Sequence, residues 1–195
     1  MSDGESLDKD IADLVAGAGV GLICLNRDPN TLGVSHGGVA VAYRTETCSM
    51  KRVDMDNPDK FEVLVTIASL PGYSRRLVTV ACYIPPGYNV PRGRAAVRYV
   101  EDVLMEVKRR YRDPFIVVAG DFNQWEIEEA IAEYPDLRES DVGPTRKDRC
   151  LDRIFTNFGR SEISCGSLPP LETEADSAGA PSDHRISFTL SLIHI

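Results

Sequence analysis

An apolar run, Val117-Val118-Ala119, leads straight into Gly120-Asp121-Phe122-Asn123. A carboxylate and an amide oxygen therefore stand two residues apart just past a strand end, where Gly120 lets the backbone turn sharply. Hard oxygen groups converging on one point suit Mg²⁺, or a water held beside a phosphate. The same pair also suits an Asx turn that caps a following helix. Ser182-Asp183-His184 stands directly before another apolar stretch. An imidazole there can act as a general base near neutral pH, or sit in a surface turn. Leu151-Asp152-Arg153-Ile154-Phe155 places a carboxylate inside an apolar strand, which is costly unless the group is paired or solvated. Asp152 can accept from the His184 ring N–H and fix its tautomer, or face solvent on an edge strand. Tyr83 ends an apolar run just before Pro85-Pro86-Gly87; its phenol can reach a phosphate oxygen or serve in packing.

The elements that must position these groups follow from periodicity. Leu7, Ile11, Leu14 and Val15 predict a short amphipathic helix. Val20 to Leu25 reads as a strand buried on both faces, and Val39 to Tyr43 as a second strand after a loop rich in Asn, Pro and Gly. Phe61 to Ala68 and Leu77 to Tyr83 read as strands joined through Pro71-Gly72-Tyr73-Ser74. Val97, Val100, Leu104, Val107 and Tyr111 mark a helix over 92–111. Strands are expected at Phe115 to Ala119, Leu151 to Thr156 and Ile186 to Leu192, with a short helix at Glu126 to Tyr134 and a loop at Leu168 to Ser182. Several strands are apolar throughout and need cover on both faces, so the expected fold class is a layered α/β domain with sheets packed together and helices outside.

The chain has 195 residues, 43% hydrophobic and 27% charged, which suits one domain spanning 1–195 with a core that hides roughly 70% of the unfolded surface. Disorder, collagen-like and coiled-coil architectures are excluded. No apolar run approaches the ~18 residues of a membrane helix, and Met1 to Asp10 is acidic and polar, unlike a secretory leader. An intracellular location, nucleus or cytoplasm, is expected. Lys plus Arg is 22 against 30 Asp plus Glu, a formal charge of -8. Such a chain is repelled overall by phosphate backbones, which argues against a passive nucleic-acid coat but not against an enzyme that gathers carboxylates around a cation. Five cysteines without a C-x-x-C pair read as structural thiols in a reducing compartment, with Cys24 and Cys82 inside apolar runs.

In chain order the signals are Tyr83-Ile84-Pro85-Pro86, Gly120-Asp121-Phe122-Asn123, Leu151-Asp152-Arg153-Ile154 and Ser182-Asp183-His184. With these the sequence resembles the endonuclease/exonuclease/phosphatase superfamily, the DNase I-like fold, from about Ile11 to Leu192. Gly37-Gly38-Val39-Ala40-Val41 looks like the family's Gly-Gly-led strand. Pro144-Thr145-Arg146 ahead of Leu151 to Asn157 looks like the endonuclease domains of non-LTR retrotransposons.

The resemblance implies a four-layered α/β sandwich that hydrolyses phosphoester bonds with Mg²⁺ or Mn²⁺. It implies that Asp121 positions or deprotonates the attacking water and that Asn123 holds the phosphate. His184 stabilises developing charge or acts as base, with Asp152 orienting it. Asp183 touches the metal or its water, and Tyr83 bonds the phosphate. It also implies two departures. Family members usually begin with a strand ending in a functional Asn, ahead of the first helix, whereas this chain starts at that helix. They carry a metal-binding Glu in a Leu-x-Glu pattern where this sequence reads Leu25-Asn26-Arg27. Asp28 is the nearby carboxylate that can stand in for it, and Arg27 is expected to face Asp121 and Asp183 and to weaken metal binding. The leading expectation is a retrotransposon-type endonuclease with DNA as substrate. The alternatives are a truncated or degenerate member with the fold and little catalysis, and a phosphatase or phosphodiesterase acting on a lipid, inositol or nucleotide phosphate.

Overall fold

Val97, Val100, Leu104 and Val107 recur at three- and four-residue intervals, and the segment around them folds as helix α1 (Val90–Arg110) with those side chains buried. The Asn89 side chain caps it by accepting from the Arg92 N–H at 3.0 Å. Lys108, Arg109 and Arg110 close it with positive charge at the negative end of the dipole. Asp113, at φ 48°, and Pro114 prevent continuation. This is a computed structural model, and it describes residues 17, 19–27, 38–158, 163–168 and 186–191. None of the described helices is long and apolar enough to cross a membrane.

The described strands are β1 (Val20–Asn26), β2 (Gly38–Arg44), β3 (Ser49–Arg52), β4 (Glu62–Ser69), β5 (Arg76–Tyr83), β6 (Phe115–Asp121), β7 (Arg138–Glu139), β8 (Asp152–Thr156), β9 (Ile163–Leu168) and β10 (Ile186–Ser191). Helix α2 is Glu128–Ile131. Six strands form the central sheet in the order β3-β4-β5-β6-β8-β7. β5 and β6 run parallel, with α1 as their crossover, and the other neighbours are antiparallel. β1 pairs with β2 and β9 with β10, each pair antiparallel.

The central sheet is covered on both faces, which makes the fold an α/β sandwich. On one face Val63, Val65, Val78, Val80, Ile116, Val118 and Phe155 form one buried cluster with Val97, Val100, Leu104 and Val107 of α1. On the other, Leu64, Thr66 and Ala68 of β4 are buried as well. β1 and β2 lie against β4 and β5 on that side, and β10 lies against β8.

Two expectations change here. β1 is not buried on both faces: Cys24 and Asn26 are exposed, because the β1–β2 pair turns one face to the central sheet. Cys82, by contrast, is buried, and burial pushes its thiol up to about 12. The helix expected over 126–134 shrinks to the single turn of α2. Pro135 follows Tyr134 and disfavours helical backbone there, so the chain leaves through turns from Ile131 to Tyr134 and Tyr134 to Leu137.

Candidate active site

Cross-strand register places the polar residues. In the central sheet Glu62 on β4 lies opposite Tyr83 on β5, Tyr83 opposite Asp121 on β6, and Asp121 opposite Asp152 on β8. Partners at one register level share a face. The four side chains therefore form one row across adjacent strands, on the face away from α1 and at one end of the sheet. That end carries the close of β5 and β6 and the start of β4 and β8. The next residue inward on each strand is apolar: Leu64, Ala81, Ala119 and Ile154.

The loops at this end are tied together by backbone bonds. The Ile84 N–H donates to the Asp121 carbonyl at 3.0 Å and the Phe122 N–H to the Leu151 carbonyl at 2.9 Å. β5 and β6 approach so closely at Gly120 that a Cβ there would lie 2.0 Å from the Cys82 carbonyl oxygen, so only glycine fits. Past the strand, Asn123 takes a left-handed backbone at φ 51°. Its N–H donates to Asp121 Oδ1 at 3.0 Å, an Asx turn. Its side chain folds back, Nδ2 donating to the Ile84 carbonyl at 3.1 Å. Gln124 Nε2 and Trp125 Nε1 donate to the Pro86 and Pro85 carbonyls at 2.9 and 3.1 Å. The indole rests on α1, where a side chain at Gly93 would collide with it. The Asx-turn reading of Asp121 and Asn123 is met, and the turn fixes the orientation of both groups.

Asp152 is positioned from the other side. The buried Thr145 hydroxyl oxygen accepts the N–H groups of Leu151 and Asp152, both at 3.0 Å. Thr145 in turn is set by a tight turn in which the Arg146 and Arg149 N–H groups exchange bonds with each other's carbonyls at 3.0 Å.

Arg27, directly after β1, reaches this end of the sheet. Its Nε donates to Glu62 Oε1 at 2.7 Å and its NH2 to Oε2 at 3.3 Å. Its guanidinium carbon lies 5.2 Å from the centre of the Tyr83 ring. The Arg27 side chain is 14% exposed and that of Glu62 is 3% exposed. The hydrogen bond to Glu62 raises the pKa of Arg27. Burial, followed by the charges of Asp121 and Glu62, pushes the Tyr83 phenol upward, while Arg27 pulls it down, with a net upward shift. The phenol therefore keeps its proton at neutral pH and is a hydrogen-bond donor.

Four of the candidate residues, Tyr83, Asp121, Asn123 and Asp152, are thus brought to one place from three strands and a turn. Asp28, Asp183 and His184 lie outside the described residues. Two residues at the site were not singled out from sequence. Glu62 carried the signal that marked Asp152, a carboxylate inside an apolar run. Thr145 stood inside the Pro144-Thr145-Arg146 stretch that carried the resemblance, but its bonds to Leu151 and Asp152 depend on a turn closed by residues further along the chain.

As a donor set, the row offers a protonated phenol, an anchored amide, and carboxylates able to accept a proton from water. It does not fit a divalent ion held by Glu62, because the Arg27 guanidinium is forked on both oxygens of that carboxylate and would set a fixed positive charge against the ion. Among the described residues no three carboxylate, imidazole or thiol groups gather closely enough to hold a metal.

No curated protein matches the sequence. Solved structures do. An endonuclease/exonuclease/phosphatase family protein from Bacteroides thetaiotaomicron matches with a TM-score of 0.65 at 17% identity, over 94% of this chain and 80% of that one. Truncated TDP2 from Caenorhabditis elegans matches with a TM-score of 0.64 at 13% identity, over 94% and 80%. TDP2 from D. rerio, in complex with a single-stranded DNA product, matches with a TM-score of 0.54 at 12% identity, over 90% and 77%. These likenesses show a shared fold. With the family model for Endonuclease/Exonuclease/phosphatase matching residues 3–184, the chain belongs to the endonuclease/exonuclease/phosphatase family.

Proposed function

We propose that the chain hydrolyses phosphodiester bonds in DNA, as an endonuclease domain of the retrotransposon type. The observation that carries this reading is the row Tyr83–Asp121–Asp152 with Asn123 folded against it. Hydrolysis needs an in-line water, a proton acceptor and donors for the phosphoryl oxygens. Asp121 accepts the proton of the attacking water, with its carboxylate held by the Asn123 N–H. Tyr83, protonated at working pH, donates to a non-bridging oxygen, and the Asn123 amide binds the phosphate. Asp152, aimed by Thr145, orients His184 as acid–base group. β10 begins two residues after His184 and packs on β8, the strand that carries Asp152, which supports that pairing. Asp183, beside His184, and Asp28, beside Arg27, are the remaining carboxylates assigned to a cation. The family generally works with a divalent metal, which supplies Lewis-acid polarisation of the phosphate when bound. The likeness to a TDP2 structure holding a DNA product supports DNA as the substrate.

A second reading, a member with the fold and little catalysis, is favoured by the guanidinium of Arg27 on the row. Nicking of supercoiled plasmid separates the two. The leading reading expects nicking that is lost in both Asp121→Ala and His184→Ala. Absence of nicking by the wild type, in Mg²⁺ and in Mn²⁺, establishes the second.

A further inference from the structure

A row of carboxylates needs a counter-charge. Asp121 and Asp152 face each other on neighbouring strands, ~4.8 Å apart, and Glu62 stands at the same level two strands from Asp121, with Tyr83 between them. Negative charges along one level of a sheet repel, and a cation beside them relieves the repulsion. The cation at the Glu62 end is Arg27. It is forked on both Glu62 oxygens, at 2.7 and 3.3 Å, and lies over the Tyr83 ring. The pair is nearly dry, with Glu62 3% exposed and Arg27 14% exposed. A guanidinium holds its charge at all working pH, and its planar fork matches a carboxylate. A divalent ion needs carboxylate oxygens, and both oxygens of Glu62 already face the guanidinium. An ion placed there would also stand against a fixed positive charge.

We propose that the Arg27 guanidinium is the resident cation of this site. Held by Glu62 against Tyr83, it supplies the positive charge at the Glu62 end of the row. That end then assembles without metal, and a divalent ion gains entry at Glu62 only when Arg27 is removed. Arg27 is in this sense a positioning residue, acting on Glu62 and Tyr83 rather than on the ester. The inference concerns the same site as the proposed hydrolysis, but it holds whether or not the chain cuts DNA.

The test is thermal melting of the full chain in EDTA and in millimolar MnCl₂, with fluorescence of Trp125 as a second readout. Trp125 is the chain's one tryptophan, and it follows Asn123 in the loop tied to Pro85, so bound Mn²⁺ quenches it saturably. The wild type is expected to gain much less in Mn²⁺, and to quench much less, than Arg27→Gln. Arg27→Gln strands the buried carboxylate and is expected to melt roughly 10 °C lower in EDTA. It should recover by roughly 5–10 °C in Mn²⁺ at a hundred-fold excess over Kd. Arg27→Glu is expected to depend on Mn²⁺ still more strongly; should it fail to fold, the wild type and Arg27→Gln decide alone. A wild type that gains as much in Mn²⁺ as Arg27→Gln overturns the proposal. So does an Arg27→Gln protein that melts identically with and without the ion. Plasmid nicking, measured separately, reports on the hydrolysis.

Discussion

The two faces of the central sheet are built from the same strands and carry opposite tasks. Toward α1, alternate residues of β4, β5, β6 and β8 form one apolar cluster, among them Val63, Val65, Val78, Val80, Cys82, Ile116, Val118 and Phe155. Away from α1, the alternate residues begin with Glu62, Tyr83, Asp121 and Asp152 at one end and become apolar one level inward. Because side chains alternate with a period of two, a strand can pack with one set and do chemistry with the other. The first face sets stability and the end of the second carries the proposed chemistry, so substitutions on the two should have separable effects.

The largest effect is expected at Asp121. Removing a positioned proton acceptor costs about 10²–10⁴-fold in rate, so Asp121→Ala should lose plasmid nicking by that factor while its melting temperature stays within a few degrees of wild type. A matching loss of fold would erase the contrast between the faces. Next comes Leu104→Ala, at a fully buried position of α1. It should cost about 2–5 kcal/mol in denaturant unfolding, with nicking per folded molecule unchanged. Activity falling faster than the folded fraction would mean that the packing face also tunes the site. Tyr83→Phe removes one hydrogen bond to a charged oxygen, worth about 1.5–3 kcal/mol. It should lower kcat/KM by roughly 10–100-fold with little change in melting.

The smallest effect is alkaline. Burial raises the Tyr99 phenol, a buried member of the α1 cluster, to about 12. The unfolded phenol ionises near ~10, so the folded state holds the proton longer. Its contribution is intact below ~10 and is lost as the pH rises through about 12. Ultraviolet titration should show Tyr99 ionising late and together with unfolding, and Tyr99→Phe should remove that contribution.

Much of this was readable in the sequence where local signals are strong. The α1 helix, the long strands β4, β5 and β6, and the carboxylates of Asp121 and Asp152 announce themselves through periodicity or its interruption. What escaped depends on partners far along the chain. β3 is polar, Ser-Met-Lys-Arg, and is a strand only because β4 offers it an edge. β7 has two residues and β9 is rich in Ser and Gly. The row is a matter of register, which pairs Tyr83 with Asp121 and Asp121 with Asp152, and no local pattern encodes it. The partner of Arg27 escaped for the same reason: Glu62 lies 35 residues away on another sheet.

The central claim is that the end of this row is a single reaction centre. A double-mutant cycle on nicking tests it most directly, with Asp121→Asn, Asp152→Asn and the pair together. Groups that serve one step are strongly non-additive. The account predicts that each single change removes most of the activity and that the double variant is little worse than the more damaging single one. Losses that multiply, or an Asp152→Asn protein with undiminished activity, would contradict it.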